Sequence, residues 1–368
     1  MNAKNSYAPN YAVIPGDILD EHREAASLTQ EELANRLGLS KKHINRMIAG
    51  NEPITSETAL KLEIVFGLPA HVWIGLESRY REFLAREAET KSLHAEAKWL
   101  NEIPHGALAN LGWIPKKLGD LETIRALREF FRVASLNHLP KVWEETSAAY
   151  RKTEAYRSQQ WALLAWLAQA EREAESITCA PFDAASLREA LPELKSMSKL
   201  PGTEFIQPLI DRCASLGIAL VFLPEPKGAR VCGSTRWLSK DKVLVQLSLR
   251  YKTNDHLWFT FFHELGHVLL HGKKQQFIDF YGVNGEKKEE EIEADEFASK
   301  TLIARNEMHR FIANGDFSKL AVEKFANANG IATGIVVGQL QHQKLIPFNS
   351  PLSHLKTSFR WSHETNAA

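Results

Sequence analysis

Residues 254–272 read Asn254-Asp255-His256-Leu257-Trp258-Phe259-Thr260-Phe261-Phe262-His263-Glu264-Leu265-Gly266-His267-Val268-Leu269-Leu270-His271-Gly272, with the pattern H-E-x-x-H at His263–His267. On a helix, positions i and i+4 lie one above the other on the same face. Two imidazoles so placed can reach one zinc ion, and Glu264 beside them can take a proton from water. Asn254 or Asp255 is placed to cap the start of this helix, and Gly272 to end it. Leu257, Phe261, Leu265 and Val268 recur at helical spacing and are expected to face a core. His256, Thr260, His263, His267 and His271 form a polar stripe on another face.

Zinc needs a third protein ligand and an open position. The stretch Glu289-Glu290-Glu291-Ile292-Glu293-Ala294-Asp295-Glu296-Phe297-Ala298 is the place to look. Ala294, Phe297, Ala298, Thr301 and Leu302 give it an inward helical face. Glu291 and Asp295 are i and i+4. If Glu291 binds the metal, Asp295 one turn later can hydrogen-bond a ligand histidine and fix its tautomer. Glu290 and Glu293 are rivals for the ligand role, Asp295 could itself be the ligand, and the whole acidic run could be a solvated face.

The chain of 368 residues is longer than one ordinary domain, and its 44% apolar content supports real cores. Its 45 basic and 45 acidic residues cancel, so DNA contact has to come from a local patch. Cys179, Cys213 and Cys232 lack metal-type spacing and read as buried thiols of a reducing compartment. No stretch reads as a secretory leader or a membrane span. A cytoplasmic protein with no membrane partner is therefore expected.

A basic patch lies near the start. Thr29-Gln30-Glu31-Glu32 is a capping box that opens a helix with Leu33, Ala34 and Leu37 inward. Gly38 breaks it, and Ser40 starts a second helix with Ile44, Met47 and Ile48 inward. That helix turns Lys41, Lys42, Asn45 and Arg46 outward. Helix, Gly-containing turn and helix make a helix-turn-helix. Lys and Arg there can meet phosphates, and Asn45 or Arg46 can reach base edges. Gln30, in the first turn of the preceding helix, is placed to touch the backbone. Gln30, Ser40, Lys41, Lys42, Asn45 and Arg46 are the DNA-binding candidates.

Leu28 to Ala34 through Gly38-Leu39-Ser40 resembles the Cro/cI-type helix-turn-helix of the XRE family. Gly50-Asn51-Glu52-Pro53-Ile54-Thr55, Ala59-Leu60-Lys61-Leu62, His71-Val72-Trp73-Ile74 and Tyr80 are similar to HigA-type antitoxins in particular. The resemblance implies a homodimer that binds double-stranded operator DNA, represses its own operon and neutralises a neighbouring toxin.

From about 86 to 200 the sequence is rich in Ala, Leu, Glu and Arg. Leu121, Ile124, Leu127 and Phe131 make one apolar stripe; Trp161, Leu164 and Leu167 make another. Beyond 205, Gly217–Leu223, Val231–Trp237 and Lys242–Leu249 read as three antiparallel strands, with Val243, Val245, Leu247 and Leu249 alternating. A small sheet followed by the H-E-x-x-H helix suits a zincin, whose edge strand can hold an extended peptide.

Phe259 to His271, Glu291-x-x-Ala294-Asp295-x-Phe297-Ala298, Phe325-Ala326, and Gly330-Ile331 with Gly334–His342 together resemble the ImmA/IrrE metallopeptidases. Leu302-Ile303-Ala304-Arg305 departs from that family's pattern, where a proline often follows the Phe-Ala helix. The resemblance implies a gluzincin-like site: zinc as cofactor, His263, His267 and Glu291 as ligands, Glu264 as catalytic carboxylate and Asp295 in support. His271 is expected to make a structural hydrogen bond. Tyr281, Arg305 and His309 are candidates to stabilise an oxyanion.

The expected fold is α+β. It comprises an all-α helix-turn-helix domain (1–85), a helical middle region (86–200), a zincin-like domain with a small antiparallel sheet packed on the metal-binding helices (201–348), and a tail (349–368). The expected function is a DNA-binding regulator with a zinc endopeptidase domain that cleaves a repressor, a toxin or itself. The competing expectation is a HigA-like antitoxin and autorepressor whose zincin domain only binds metal or partner.

Overall fold

The structure is a computed structural model and describes residues 12–142, 160–272, 276–280 and 289–361. The chain divides into two compact units, Met1–Ala97 and Lys98–Ala368.

The first unit is all helical: α1 (Pro15–Ala25), α2 (Gln30–Leu37), α3 (Lys41–Ile48), α4 (Ser56–Phe66) and α5 (Ala70–Ala95). The caps are those read from the sequence. Thr29 and Glu32 exchange the two capping-box bonds, the Thr29 backbone N–H donating to Glu32 Oε2 at 2.8 Å. Ser40 Oγ accepts from His43 N–H at 3.2 Å, and Gly38 takes the left-handed conformation (φ 65°) between α2 and α3. Leu19, Leu33, Leu37, Ile44, Met47, Leu62 and Trp73 fill the core. A Cβ at Gly16 would come within 2.1 Å of the Ile48 carbonyl, so glycine lets α1 lie directly on α3. The boundary expected at residue 85 falls inside α5, because no proline interrupts the helix between Ala70 and Ala95.

In the second unit, β1 (Ile218–Phe222), β2 (Val231–Trp237), β3 (Val243–Leu247) and β4 (Phe277–Phe280) form one sheet in the order β1-β3-β2-β4. The three expected strands are present, but the expected antiparallel sheet is mixed: β3 runs antiparallel to β2 and parallel to β1. The short turn Leu238–Lys242 forces β3 back along β2 as a hairpin. The link before β2 carries Pro224 and Pro226 and takes the chain one place beyond β1's neighbour. β3 then fills the gap and matches the direction of β1. β4 was not foreseen, and it pairs antiparallel with β2.

Alternation along the strands assigns the two faces of the sheet. Val243, Val245 and Leu247 face the H-E-x-x-H helix, Asn254–Leu270, and share a core with its Leu257, Trp258, Phe261, Phe262 and Leu265. Gln246 points the other way, where its Nε2 donates to the Trp166 carbonyl at 2.8 Å. The Gln160–Ser176 helix therefore covers the second face of the sheet. Lys242 fastens the end of that helix, its Nζ donating to the carbonyls of Ala174 and Ile177, both at 2.7 Å. The middle region expected at 86–200 thus contributes its larger part to the second unit.

Asn254 and Asp255 were expected as caps, but no side chain caps the start of their helix. They bind the end of the chain instead. Asn254 Oδ1 accepts from Thr357 N–H (3.1 Å), and Asp255 pairs with Lys356 (2.6 Å). Phe359 is buried against Phe205 on this strap, so residues 349–361 are packed structure. Gly272 lies outside the helix, whose C-cap is His271. Cys213 and Cys232 are buried thiols, as expected, and Cys179 is half-buried.

Candidate functional site

The Asn254–Leu270 helix carries His263 and His267 one turn apart, and both are almost fully buried. It lies on a second helix, Glu289–Leu302, at a crossing set by two small residues. A Cβ at Gly266 would lie 3.1 Å from Ala294 Cα. Hydrogen at one position and methyl at the other bring the acidic helix close enough for Glu291 to reach the histidines. His263 Nε2 and His267 Nε2 lie 3.0 Å apart, and Glu291 oxygens lie 3.4 Å and 3.8 Å from them. One donor atom from each of the three residues sits within 4.8 Å of the other two, so together they could hold a metal ion.

Two of the acids that competed with Glu291 in the sequence are occupied elsewhere. Asp295 Oδ1 lies 3.0 Å from His263 Nδ1, the arrangement that fixes which ring nitrogen faces the donor cluster. Glu293 lies 3.0 Å from His271 Nε2, and His271 Nδ1 lies 2.9 Å from His267 Nδ1. His263 is thus held by a carboxylate directly and His267 through a second histidine. The expected structural role of His271 takes this form. Phe277 of β4 stacks on the His267 ring at 4.1 Å.

The Glu264 carboxyl, next in the chain to His263, meets β2. Thr235 Oγ1 donates to Glu264 Oε2 at 2.6 Å. Glu264 Oε1 is buried with no hydrogen-bond partner among the described residues. A Cβ at Gly233 would lie 2.4 Å from that oxygen, so the missing side chain is what leaves it room. Thr235, Gly233 and Phe277 were not foreseen, because nothing local in the sequence links a strand residue to a helix that packs on it from far along the chain.

The electrostatics describe a place that calls for a cation. Burial pushes the Glu264 carboxyl up to about 8, with the His263 charge and the Thr235 hydroxyl acting against it. Burial also opposes a charge on His263. Hydrogen bonds donated by His263 to Asp295 and Glu291, with the Glu264 charge, outweigh burial and hold His263 up at about 11. His267 is pushed down to about 2 by burial and by the charges of His263 and His271. The carboxylates therefore gather positive charge onto one imidazole at the point where three ligand atoms converge. Two imidazoles and one carboxylate are a donor set that suits zinc, and the residues present fit that ion. Asp295→Asn is expected to weaken zinc binding about 10–100-fold with little change in fold. Competition with a metallochromic chelator measures it, and an unchanged affinity would count against the supporting role.

Of the oxyanion candidates, Arg305 lies 3.8 Å from Glu296 and lines a cavity of about 510 Å³ with His309 and Asp295. Tyr281 lies outside the described residues.

In the first unit, Ser40, Lys41, Lys42, Asn45 and Arg46 occupy the start and outer face of α3, and Gln30 is the first residue of α2. Lys42 and Asn45 are exposed. Lys41 lies 3.5 Å from Glu31, and Arg46 lies 3.2 Å from Glu52. These pairs are solvent-screened and cost little to exchange for phosphate.

The folds and sites define a helix-turn-helix DNA-binding unit and a peptidase-like unit with a convergent His/Glu donor cluster, joined in one chain. Residues 19–73 match the family model described as helix-turn-helix, and residues 216–326 match that described as the IrrE N-terminal-like domain. The second segment contains His263, Glu264, His267 and Glu291. The chain is similar to an uncharacterized HTH-type transcriptional regulator, YddM, of Escherichia coli strain K12, at 27% identity over 66 residues (18% of this chain, 70% of that protein). It is also similar to virulence-associated protein I of Dichelobacter nodosus, at 34% identity over 70 residues (19% of this chain, 65% of that protein). Among solved structures, an addiction module antidote protein of the HigA family from Coxiella burnetii shares 27% identity (23% of this chain, 92% of that chain), with a TM-score of 0.21. Each likeness spans under a quarter of this chain.

Proposed function

We propose that this chain is a cytoplasmic DNA-binding regulator that is also a zinc-dependent endopeptidase, acting on a regulatory partner protein or on itself. The observation that carries the proposal is the convergence of His263, His267 and Glu291 beside a buried Glu264. His263, His267 and Glu291 would hold the zinc. Bound there, zinc supplies Lewis acidity that polarises a scissile carbonyl and acidifies water.

The chain's own residues do the rest. Thr235 fixes one oxygen of Glu264, and Gly233 leaves the other free to take a proton from the attacking water. Glu264 then passes that proton to the leaving nitrogen. Asp295 and His271 hold the two imidazoles in place. The test is removal and return of the metal. The purified chain is expected to lose cleavage of proteins encoded by neighbouring genes after chelation and to recover it with one zinc per chain. Stoichiometric zinc with no cleavage of any partner would sink the peptidase reading and leave a metal- or partner-binding module.

For the first unit, the basic outer face of α3 supports operator binding, and a dimer would let two such helices read paired half-sites. Leu60 and Ile64, one turn apart on α4 and 58% and 84% exposed, offer an apolar face for the second copy. Lys42→Ala is expected to weaken DNA binding uniformly and to lower the salt slope by about one. Asn45→Ala is expected to relax specificity, at about 1–3 kcal/mol for the best site. Salt-titrated binding to the chain's own promoter checks both, and unchanged curves would remove α3 as the reading helix.

A further inference from the structure

The acidic metal-site helix also forms one wall of the cavity of about 510 Å³, which the hydrolysis proposed above does not use. Ser299 and Ile303 line it from the Glu289–Leu302 helix and the turn after it. Arg305, Met308 and His309 line it from the Arg305–Asn314 helix, and Gln339 from the Thr333–His342 helix. A cavity of this size suits a small organic molecule. The stretch Leu302-Ile303-Ala304-Arg305, where the sequence departs from the ImmA/IrrE pattern, supplies two of these residues.

Three observations give the cavity a chemical character. Part of its wall is apolar, since Ile303 and Met308 reach it from the core. Its charges do not balance. Lys300 and Arg305 share one carboxylate, Glu296, and Asp295, the other acid on the wall, is engaged by His263. Lys300 donates directly to Glu296, whereas Arg305 stands 3.8 Å from it, beyond hydrogen-bond length. Arg305 is therefore the cation left over, and its 63% exposed side chain can turn at little cost. Finally, the side chains of His309, Gln339 and Gln343, all facing this cavity, make no hydrogen bond or ion pair among the described residues. Arg305 and His309 are one helical turn apart and share a face.

We propose that this cavity binds a small organic anion, a carboxylate carried on an apolar body. Arg305 receives the carboxylate through paired, charge-assisted hydrogen bonds, with His309 and Gln339 as further donors. Ile303 and Met308 take the apolar body, whose removal from water adds affinity without direction. One negative charge matches the one unbalanced cation. A neutral amide of the same shape leaves Arg305 without its anion, and a cation meets like charge. The site uses none of the three zinc donors and is separate from the hydrolytic chemistry.

The probes are 2-naphthoate and its neutral counterpart 2-naphthamide, with binding to the full chain measured by calorimetry. Wild type, Arg305→Gln, Arg305→Lys and Gln339→Trp are compared, and thermal unfolding verifies that each is folded. Wild type is expected to bind naphthoate at a single site, about tenfold or more tighter than naphthamide. Arg305→Gln is expected to erase that preference while naphthamide still binds, and Arg305→Lys to restore part of it. Gln339→Trp, which fills the cavity, is expected to abolish binding of both probes. A decapeptide mixture randomised around a central Glu is expected to leave naphthoate bound. Equal binding of the two probes, no binding of either, or a preference unchanged by Arg305→Gln overturns the inference. So does binding that survives Gln339→Trp. Displacement of naphthoate by the peptide mixture would assign the cavity to a protein substrate and overturn the small-molecule assignment.

Discussion

Replacing Glu264 by Gln is expected to lower cleavage of a partner protein by about 10²–10⁴-fold while zinc stays at one per chain. Glutamine keeps the volume of a fully buried side chain and can still accept from Thr235, so packing against β2 survives. What it cannot do is take a proton from water and return it to a nitrogen. The change therefore separates chemistry from binding, since none of the three proposed ligands is altered. Rates from purified wild type and variant, each with measured zinc, check it. A variant that cuts within a few-fold of wild type would show that another group moves the proton.

Glu291→Ala acts on the other half of the site. It removes the only carboxylate among the three convergent donors and leaves two imidazoles. The variant is expected to lose at least about 100-fold in zinc affinity, with all detectable hydrolysis. Zinc-dependent stabilisation, about 2.7 kcal/mol when zinc stands at 100 times the dissociation constant, should vanish with it. The pH dependence follows from His263. In the metal-free chain its proton is held up to about 11, so zinc has to displace that proton. Affinity is expected to rise with pH, by up to about tenfold per unit for each proton released, and to fall as acid restores the proton. Thermal unfolding with and without chelator across pH measures both effects. Zinc-dependent stabilisation that survives in Glu291→Ala would assign the third ligand elsewhere.

Local features were the ones the sequence displayed. Thr29 with Glu32, Ser40 with His43, and the apolar spacing of Leu257, Phe261 and Leu265 involve residues within a few positions of one another. Each such signal is written in one helix turn or one cap, which is why the helix-turn-helix and the H-E-x-x-H helix stand where expected. The pairing of Glu291 with Asp295 was also local. The choice of Glu291 over Glu290 and Glu293 was not, because it depends on how the two helices cross at Gly266 and Ala294.

What escaped was set by contacts between distant segments. The parallel pairing of β1 with β3 depends on where β2 lands, and β4 is only four residues long. Asn254 and Asp255 look like caps until residues 356–357 supply a competing partner. Thr235 and Gly233 become meaningful only when β2 lies against Glu264. The Trp161–Leu167 stripe read as one apolar face, but Trp161, Ala162, Leu163, Leu164, Ala165 and Trp166 are all buried, since the helix is covered on several sides.

The most direct measurement is a comparison of new protein N-termini in cells expressing either the wild-type chain or Glu264→Gln, at equal abundance and with zinc content verified. One or a few cleavage sites are expected, in a DNA-binding or toxin-like partner or in this chain, present with wild type and missing with the variant. Identical sets of N-termini from the two strains would contradict a peptidase role for this site.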